Sequence, residues 1–398
     1  MLCALVATLL SFSLTLSPGN APAQAAPTVK GSSDAGANPQ NAKADAAKID
    51  EQFVVGKVLM VSPAVMNKNL LNSTGMVSNQ ELVKIQVLEG TLKDATVTVS
   101  NEITDNPAFN VSVKPGQDVV LSVSTVNNKQ AEVNIADYYR APTLLWLLVV
   151  FLAAFILFGG KAGLKSLVGL VVTIALIAFV LLPCSLHGFN PLLTAVFICL
   201  ASIGTSMFFV AGLTKKALAS VLGTVGGVII AGIAAQIVIT TAPLTGLSSE
   251  EAQILRGSML NQPPQFYSGL LAAGMLIGAL GVIMDVGVSI ASAVAEVART
   301  GETLDERELY ASGMNVGRDI MGTMTNTLIL AYTGGALPLL LLASQVPSVK
   351  LLNLDLVATE VASALSGSLG LVCTIPLTAF AAAKLMSAKG KSQDLLHE

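Results

Sequence analysis

The sequence predicts an α-helical polytopic membrane protein, with about seven transmembrane helices and a small N-terminal all-β domain outside the cytoplasm. Hydrophobic residues make up 53% of the 398 residues and charged residues only 12%, whereas an ordinary soluble domain has about 25% charged residues. Seven apolar runs after residue 140 are each long enough to cross a bilayer. The segment before them contains short stretches of alternating apolar and polar residues, which are typical of strands.

The N-terminal end carries the pattern of an export signal. The stretch from Leu2 to Leu16 is largely apolar and uncharged, and Ala23-Gln24-Ala25 has the small-residue pattern of a cleavage site. A signal peptide is therefore predicted over residues 1–25. Residues 26–50 consist mainly of Ala, Ser, Gly, Asn, Pro and Lys, which bury little apolar surface. They are predicted to form a disordered tether.

Residues 51–140 have the pattern of a small β domain. Strands are predicted at Phe53–Val61, Leu82–Leu88, Ala95–Ser100, Val119–Ser124 and Ala131–Tyr138. Five short strands in so few residues suit a barrel or a sandwich, with an OB-like barrel as one form. No carboxylate pair or aromatic platform stands out in this segment, which favours a folded cap without a ligand.

A transmembrane helical domain is predicted over residues 141–385, followed by a cytoplasmic tail over residues 386–398. The apolar runs are 142–160, 164–183, 191–213, 217–241, 267–297, 317–343 and 359–383. After residue 140, most basic side chains fall in alternate loops and in the tail, namely Lys161, Lys165, Lys215, Lys216, Arg299, Arg307, Lys384, Lys389 and Lys391. Because cytoplasmic loops are enriched in Lys and Arg, this bias predicts an extracytoplasmic N-terminal domain and a cytoplasmic C-terminus.

Small residues recur at four-residue spacing in two of the runs. The ridge in the fourth run comprises Gly223, Gly227, Ala231 and Ala235, and Gly274 and Gly278 begin another ridge in the fifth run. Small side chains let the backbones of membrane helices approach closely, so both ridges are predicted to pack against other helices.

Polar residues form two stripes in the fifth and sixth runs. One stripe comprises Asp285, Ser289, Ser292 and Glu296. The other comprises Asn315, Asp319, Thr323 and Asn326, with Arg318 beside it. These spacings place each set on one face of a helix. Gly313, Gly317 and Gly322 are predicted to let another helix pack closely against the sixth run, and Gly334-Gly335 followed by Pro338 predicts a break or kink near its outer end. A charged side chain at the bilayer centre costs about 2.5–3.5 kcal/mol on insertion scales, so the stripes are predicted to form a buried polar cluster that faces other helices or water.

Two interpretations of the cluster remain open. In the structural one, an Asp–Arg pair joins the two helices. In the functional one, the cluster lines a pathway or coordination site for an ion, a proton or a small polar solute, which is the usual role of ionisable residues inside a membrane. The candidate pathway residues are Asp285, Ser289, Asn315, Arg318, Asp319, Thr323, Thr325 and Asn326. In both interpretations the charged groups are expected in direct contact or linked by one water.

The residues of these stripes resemble the YibE/F family of bacterial multi-span membrane proteins. The resemblance lies in the segment from Gly281 to Glu296 and in the long polar segment from Ser312 to Tyr332, and it extends over roughly residues 50 to 385. Ala136-Asp137-Tyr138-Tyr139-Arg140, at the entry to the first run, is also similar to family members. The resemblance implies an exported β domain followed by membrane spans in a bacterial cell envelope. It implies no substrate.

Three functional hypotheses follow. The first is a transporter or channel for an ion, a proton or a small polar solute. The second is a non-transporting accessory protein that presents the β domain to an envelope partner. The third is an intramembrane aspartyl enzyme, which is disfavoured because Arg318 adjoins one of the carboxylates and no catalytic motif surrounds either. Besides the lipid bilayer, an unidentified solute and an envelope partner, a second copy of the chain is a candidate partner.

Composition argues against several other classes of protein. The net charge is −3 and no basic patch is present, so a nucleic-acid partner is not expected. The chain has two His and four Cys residues without a CxxC or Cys/His cluster, so a zinc site is not expected. It also lacks a GxxxxGK[ST] phosphate-binding loop. No cofactor and no enzymatic activity are predicted.

Overall fold

The computed structural model describes residues 49–63, 65–66, 78–90, 92–104, 110–126, 130–259, 262–300, 304–343 and 347–387. The described residues fall into two compact units, 49–154 and 155–387. The predicted signal peptide, all but two residues of the predicted tether and nearly all of the predicted tail lie outside the described residues.

The first unit contains a six-stranded antiparallel sheet. Its strands are β1 (Ile49–Val61), β2 (Val65–Met66), β3 (Ser78–Val87), β4 (Thr96–Thr104), β5 (Asp118–Val126) and β6 (Gln130–Tyr138). β1 pairs with both β3 and β5, β4 pairs with the other edge of β3, and β6 pairs with β5. β4 also contacts β6, so the sheet is nearly closed into a barrel. All five predicted strands are confirmed, and β2, with only two residues, was not predicted.

The interior of the barrel is built from β-branched and aliphatic side chains on alternate strand positions. Val58, Val83, Ile85, Val119 and Leu121 are at most 1% exposed. Alternation places these side chains on one face of each strand, which becomes the inside when the sheet curls. The closed sheet therefore has a continuous apolar core.

Gly56 lies where the barrel interior has no room for a side chain. A Cβ atom there would lie 2.6 Å from Leu121 Cδ1 and 2.7 Å from Ile85 Cγ2. We expect Gly56→Leu to destabilise the β unit by about 3 kcal/mol, because over-packing a filled core forces side chains and backbone to move. Limited proteolysis of the full chain would show rapid cleavage within residues 49–140. Lys57→Leu on the exposed face is the control, and equal resistance of both variants would contradict the prediction.

A short polar link leads from β6 into the first helix. Arg140 Nη1 donates to Asp137 Oδ2 at 2.6 Å, and the Arg140 guanidinium carbon lies 5.2 Å from the centre of the Tyr138 ring. The Arg140 guanidinium holds the pKa of the Asp137 carboxyl below its usual value, with a smaller contribution from the Tyr138 backbone N–H. Both side chains are more than half exposed, so this pair orients the link and adds little to stability.

The rest of the chain is helical. Its helices are α1 (Ala141–Leu176), α2 (Leu182–Leu186), α3 (Pro191–Ala211), α4 (Lys215–Thr241), α5 (Glu250–Ser258), α6 (Pro264–Thr300), α7 (Glu306–Gly335), α8 (Leu337–Ala343), α9 (Ser348–Leu352) and α10 (Asp355–Met386). A π-helical segment, Ile177–Leu181, connects α1 to α2. Helix bounds differ from the predicted runs mainly in α7, which begins at Glu306, 11 residues before the run predicted to start at residue 317.

Five helical segments among the described residues are long and apolar enough to cross a membrane. They are Ala141–Leu186, Pro191–Ala211, Lys215–Thr241, Pro264–Thr300 and Asp355–Met386. This count differs from the predicted seven for two reasons. The first segment contains both of the first two predicted runs, and α7 is long enough but too polar to be included.

The chain bends sharply at Gly160, within the first of these segments. Gly160 has φ 51° and ψ −136°, which a residue with a side chain rarely adopts. A Cβ atom at Gly163 would lie 2.9 Å from the carbonyl oxygen of Phe155. In a straight helix, residues eight apart are separated by about 12 Å. The chain therefore folds back on itself here, close to the predicted boundary between the first two runs.

Helix α10 occupies the centre of the helical unit, in contact with α4, α6 and α7. The closest approach is to α4. A Cβ atom at Gly223 would lie 2.6 Å from Thr378 Cα, and one at Gly370 would lie 2.8 Å from the carbonyl oxygen of Gly227. The ridge predicted in the fourth run is thus confirmed as a helix-packing surface. Of the ridge predicted in the fifth run, Gly278 contacts Tyr332, whereas Gly274 has nothing within 4 Å of an added Cβ.

Candidate functional site

The candidate pathway residues lie near the middle of two long helices. Asp285 is about 31 Å along the axis from the first residue of α6 and about 22 Å from its last, at 1.5 Å per residue. Asp319 is about 20 Å from the first residue of α7 and about 24 Å from its last. A hydrocarbon core is about 30 Å thick. If both helices cross a bilayer, Asp319 lies inside the hydrocarbon core, and so does Asp285 unless that core is confined to about the first 31 Å of α6.

Glycines hold one face of α7 against its neighbours. A Cβ atom at Gly313 would lie 2.8 Å from Val294 Cγ2 on α6 and 2.9 Å from Ala379 Cβ on α10. One at Gly317 would overlap Ile375 Cγ2 on α10. Leu309 and Leu328 complete this buried face. α7 is therefore an amphipathic helix whose apolar face packs on α6 and α10, as the two glycines predicted.

The opposite face of α7 is polar and exposed. It carries Asn315, Arg318, Asp319, Gly322, Thr323, Asn326 and Thr327. The prediction that this stripe is buried within the chain is wrong, because Gly313 and Gly317 direct the other face inward. Gly322 was also expected to allow close packing, but nothing lies within 4 Å of an added Cβ there. Of the predicted pathway residues on α7, Thr325 alone is partly buried, and its Oγ1 is buried without a hydrogen-bond partner.

A second exposed stripe runs along α6. It comprises Gly274, Gly278, Gly281, Asp285 and Ser289, spaced three or four residues apart. Such spacing keeps them on one side of the helix. The predicted burial of Asp285 and Ser289 within the chain is therefore also wrong, and of the predicted stripe only Ser292 is partly buried.

Contacts between α6 and α7 set the relative level of the two stripes. A Cβ atom at Gly278 would lie 2.8 Å from Tyr332 Oη, and one at Gly317 would lie 3.5 Å from Ile290 Cδ1. The two helices are antiparallel, so a step toward the C-terminus of α6 matches a step toward the N-terminus of α7. Counted in this way from the two contacts, Asp285 is level with residues 322–325 of α7. Asp319 and Arg318 come level with Ser289 and its neighbours. The structure thus brings the predicted residues of both helices to overlapping depths, with Asp285 about 5–9 Å from the level of Asp319. We call the two exposed stripes together the polar face.

The charged groups of the polar face form no ion pair with one another or with any other described residue. Arg318 Nη1 donates to Asn315 Oδ1 at 3.3 Å, one helical turn away. Among the described residues, the ion pairs are Arg140–Asp137 and Arg299–Glu296, so none joins Arg318 to Asp285 or Asp319. Of the two expected arrangements, direct contact between the charged groups is therefore absent among the described residues, and the helices are not joined by a direct Asp–Arg pair. Nor do the two carboxylates hydrogen-bond to each other, as an aspartyl protease pair would.

The hydroxyls of the polar face are held differently from its charged groups. Thr323 Oγ1 donates to the Ile320 carbonyl at 2.9 Å, and Thr327 Oγ1 donates to the Thr323 carbonyl at 2.8 Å. Each oxygen can still accept a hydrogen bond. The side chains of Ser289 and Asn326 form no hydrogen bond with any described residue. The polar face therefore offers two carboxylates, one guanidinium, two amides and several hydroxyl oxygens to a ligand or to water.

The structure adds a carboxylate that the sequence analysis missed. Glu360 lies in the first turns of α10 and lines a cavity of about 220 Å³ together with Tyr332 and Thr333 of α7. Tyr332 also contacts the α6 stripe at Gly278. The signal was present in the sequence, because Glu360 is an ionisable residue inside the last apolar run. The remaining cavity wall is mainly aliphatic.

No group of three or more His, Cys, Asp or Glu side chains that could hold a metal ion occurs in the described part of the chain. Oxygen groups of the polar face come from two helices and include only two carboxylates. A bound ion would therefore be held by a mixture of carboxylate, amide and hydroxyl oxygens.

Comparison with protein families shows to which family the chain belongs. The family described as YibE/F-like protein matches residues 147–388, and the YibE/F family N-terminal domain matches residues 52–138. The chain belongs to the YibE/F family. The first match contains both helices of the polar face, and the second contains most of the β barrel. No curated protein and no solved structure shows a significant match.

Membership of the YibE/F family and the apolar helices together indicate a multi-pass membrane protein. The family description assigns no substrate, activity or partner. The chemistry of the polar face is therefore the basis for a functional proposal.

Proposed function

We propose that this YibE/F-family protein transports an ion, a proton or a small polar solute through a pathway lined by the polar face. The observation that supports this is the exposure of Asp285, Arg318 and Asp319 near the middle of α6 and α7, where none of them forms an ion pair with a described residue. A hydrated pathway supplies the water that such groups need. The other proposed pathway residues are Ser289, Asn315, Thr323, Thr325 and Asn326.

The free-energy cost of placing charged side chains inside a bilayer favours a functional role for Asp285, Arg318 and Asp319. Three charged side chains at the bilayer centre would cost together about 8–10 kcal/mol, from about 2.5–3.5 kcal/mol each. This is comparable to the whole stability of a typical protein, about 5–15 kcal/mol. Apolar residues at these positions would pack in lipid without that penalty. The charged residues at these positions are therefore best explained by a function that apolar residues cannot perform.

The proposed topology has seven spans. The reversal at Gly160 divides the first segment in two, and α7 is the sixth span, sheltered from lipid on its polar side. With the β domain outside the cytoplasm, the odd-numbered spans run inward and the C-terminus lies in the cytoplasm. The Lys and Arg bias of the loops supports this orientation, as does the predicted signal peptide.

Asp285 and Asp319 are the proposed proton- or cation-handling groups. Arg318 neutralises one of them, and the amides and hydroxyls supply neutral oxygens. In this topology Tyr332 and Glu360 lie at the outer end of the pathway, because Tyr332 contacts both the α6 stripe and the cavity of Glu360.

Replacement of one carboxylate tests the proposal. We expect Asp319→Asn to reduce ion or proton flux in proteoliposomes at least tenfold, while expression and thermal stability are retained, because the variant keeps the shape of the side chain and loses its charge. Flux is measured at two pH values with H⁺, Na⁺ and K⁺ gradients. Glu296→Gln is the matched control, since Glu296 is an exposed carboxylate at the end of α6 paired with Arg299. Flux equal to that of the parent would reject the role of Asp319.

A second candidate function is an accessory protein that presents the β barrel to an envelope partner. The observation that favours it is an apolar surface on neighbouring strands, where Leu59 and Met60 of β1 and Leu82 of β3 are about half exposed. If this is the function, Asp319→Asn changes no flux, and a partner crosslinks to photoreactive groups at Met60 or Leu82. Loss of flux without such a crosslink decides for transport.

A further inference from the structure

The polar face has no cover within the described chain, although both of its helices have other faces packed against α10. A cover must satisfy charges of both signs, two carboxylates and one guanidinium. It must also fit a surface that is flat at Gly274, Gly281 and Gly322, where nothing lies within 4 Å of an added Cβ. Lipid acyl chains meet the second condition and fail the first.

We propose that a second copy of the chain covers the polar face, in a twofold dimer whose axis is parallel to the membrane normal. This inference rests on the proposed topology, in which α6 and α7 both cross the membrane. It deepens the proposed function by naming the partner that encloses the pathway.

The depth of the charged groups makes the polar face complementary to itself. Two copies inserted in the same orientation are related by an axis along the membrane normal, so groups at equal depth meet. Arg318 and Asp319 are adjacent, about 18 and 20 Å along α7 from its first residue, whereas the contacts between α6 and α7 place Asp285 level with residues 322–325, about 5–9 Å farther along α7. Arg318 of each copy therefore lies at the level of Asp319 of the other copy, which permits a pair between them, and Asp285 lies about 5–9 Å from that level.

In the dimer there are more carboxylates than guanidinium groups, so carboxylates remain free to bind a proton or cation. Each copy contributes two carboxylates and one guanidinium to the polar face. The two guanidinium groups neutralise two of the four carboxylates across the interface. One carboxylate per copy remains for a proton or cation. The exposed glycines of the α6 stripe allow close approach of the copies, as small residues do at helix interfaces in membranes.

Cysteine crosslinking in the full chain tests the interface. In a chain whose four native cysteines are replaced by alanine or serine, Gly281→Cys and Gly322→Cys are each oxidised in native membranes or in liposomes. We expect dimer yields at least fivefold above those of Ile233→Cys. Ile233 is the control because it is exposed on α4, an apolar surface suited to lipid. Yields no higher than this control, or a crosslinked product whose mass is not twice that of the chain, would overturn the proposal.

Charge exchange between copies tests the pairing itself. Arg318→Asp makes the polar face carry three carboxylates, and we expect the crosslink yield at position 281 to fall at least tenfold. A second copy with Asp319→Arg carries two guanidinium groups and one carboxylate. When the two variants are co-expressed with different affinity tags, their mixed pair has the same net charge as the parent dimer. Co-purification of the tags should then recover.

Failure of the mixed pair to form, with both variants separately folded by thermal stability, would overturn the Arg–carboxylate pairing. The outcome is independent of the flux assay. A chain that carries flux as a monomer would support the proposed function and refute the dimer. A crosslinked dimer without flux would support the dimer and refute the proposed function.

Discussion

Gly227→Leu is expected to destabilise the helical unit by about 3 kcal/mol or more. A Cβ atom at this position would lie 2.8 Å from the Gly370 carbonyl oxygen and in direct overlap with Thr374 Oγ1. Thr374 is itself fixed, because it is buried and its hydroxyl donates to the Gly370 carbonyl. Since backbone and a held side chain form the obstacle, α4 and α10 have to separate.

Separation of these helices is costly because lipid supplies no hydrophobic force that would hold them at a larger distance. Association of helices in membranes depends on close packing and interhelical polar contacts. The loss would extend to the neighbouring contacts at Gly223 and Ala231, which share the same interface. Over-packing a filled core typically costs about 1–3 kcal/mol. At a backbone contact in the central helix pair we expect the upper end of that range or more.

Thermal unfolding in detergent, followed by size-exclusion chromatography, measures this effect. Gly204→Leu on α3 is the matched control, because nothing lies within 4 Å of an added Cβ there. The specific contact can be tested further with a milder pair. Gly227→Ala should lose stability, and Thr374→Gly in the same chain should restore part of it, since the hydroxyl that obstructs the new methyl group is removed. Equal stability of Gly227→Leu and Gly204→Leu would contradict the packing described for α4 and α10.

The sequence predicted the elements better than their faces. Hydrophobic length located the long helices, and the pair Gly334-Gly335 correctly marked the end of α7, where the chain breaks before α8 begins at Leu337. Glycine spacing in the fourth run predicted a close helix contact. These features depend on local sequence, so they can be read without knowing the rest of the fold.

The orientation of α7 could not be predicted in the same way. Its polar stripe and its glycine face were both visible, and burial of the polar stripe was expected because charges avoid lipid. Which face turns inward depends on the shape of the partner helices. Ala379 and Ile375 on α10 and Val294 on α6 fit against Gly313 and Gly317, and nothing in the sequence of α7 identifies these neighbours. The avoidance of lipid still holds, but it applies to the assembly and not to the single chain.

The two carboxylates and the single guanidinium of the polar face lead to a charge rule. If Arg318 neutralises one carboxylate, only the remaining one can bind a proton or cation. Replacing either carboxylate by its amide then leaves Arg318 paired with the survivor, and no free carboxylate remains. On this argument Asp285→Asn and Asp319→Asn have the same effect on flux, although the residues lie on different helices.

The double variant Arg318→Gln/Asp319→Asn is therefore expected to recover flux that Asp319→Asn alone has lost. Removing the guanidinium releases Asp285, which restores one free carboxylate per chain, while the amides at positions 318 and 319 can still hydrogen-bond across helices. We expect the single variant to fall at least tenfold below the parent in proteoliposomes, and the double variant to regain at least a third of the parental flux. Asp285→Asn added to the double variant serves as the control, since it removes the last carboxylate and should abolish flux again. If the double variant stays as inactive as Asp319→Asn, the carboxylate of Asp319 acts directly on the solute and the charge rule is wrong.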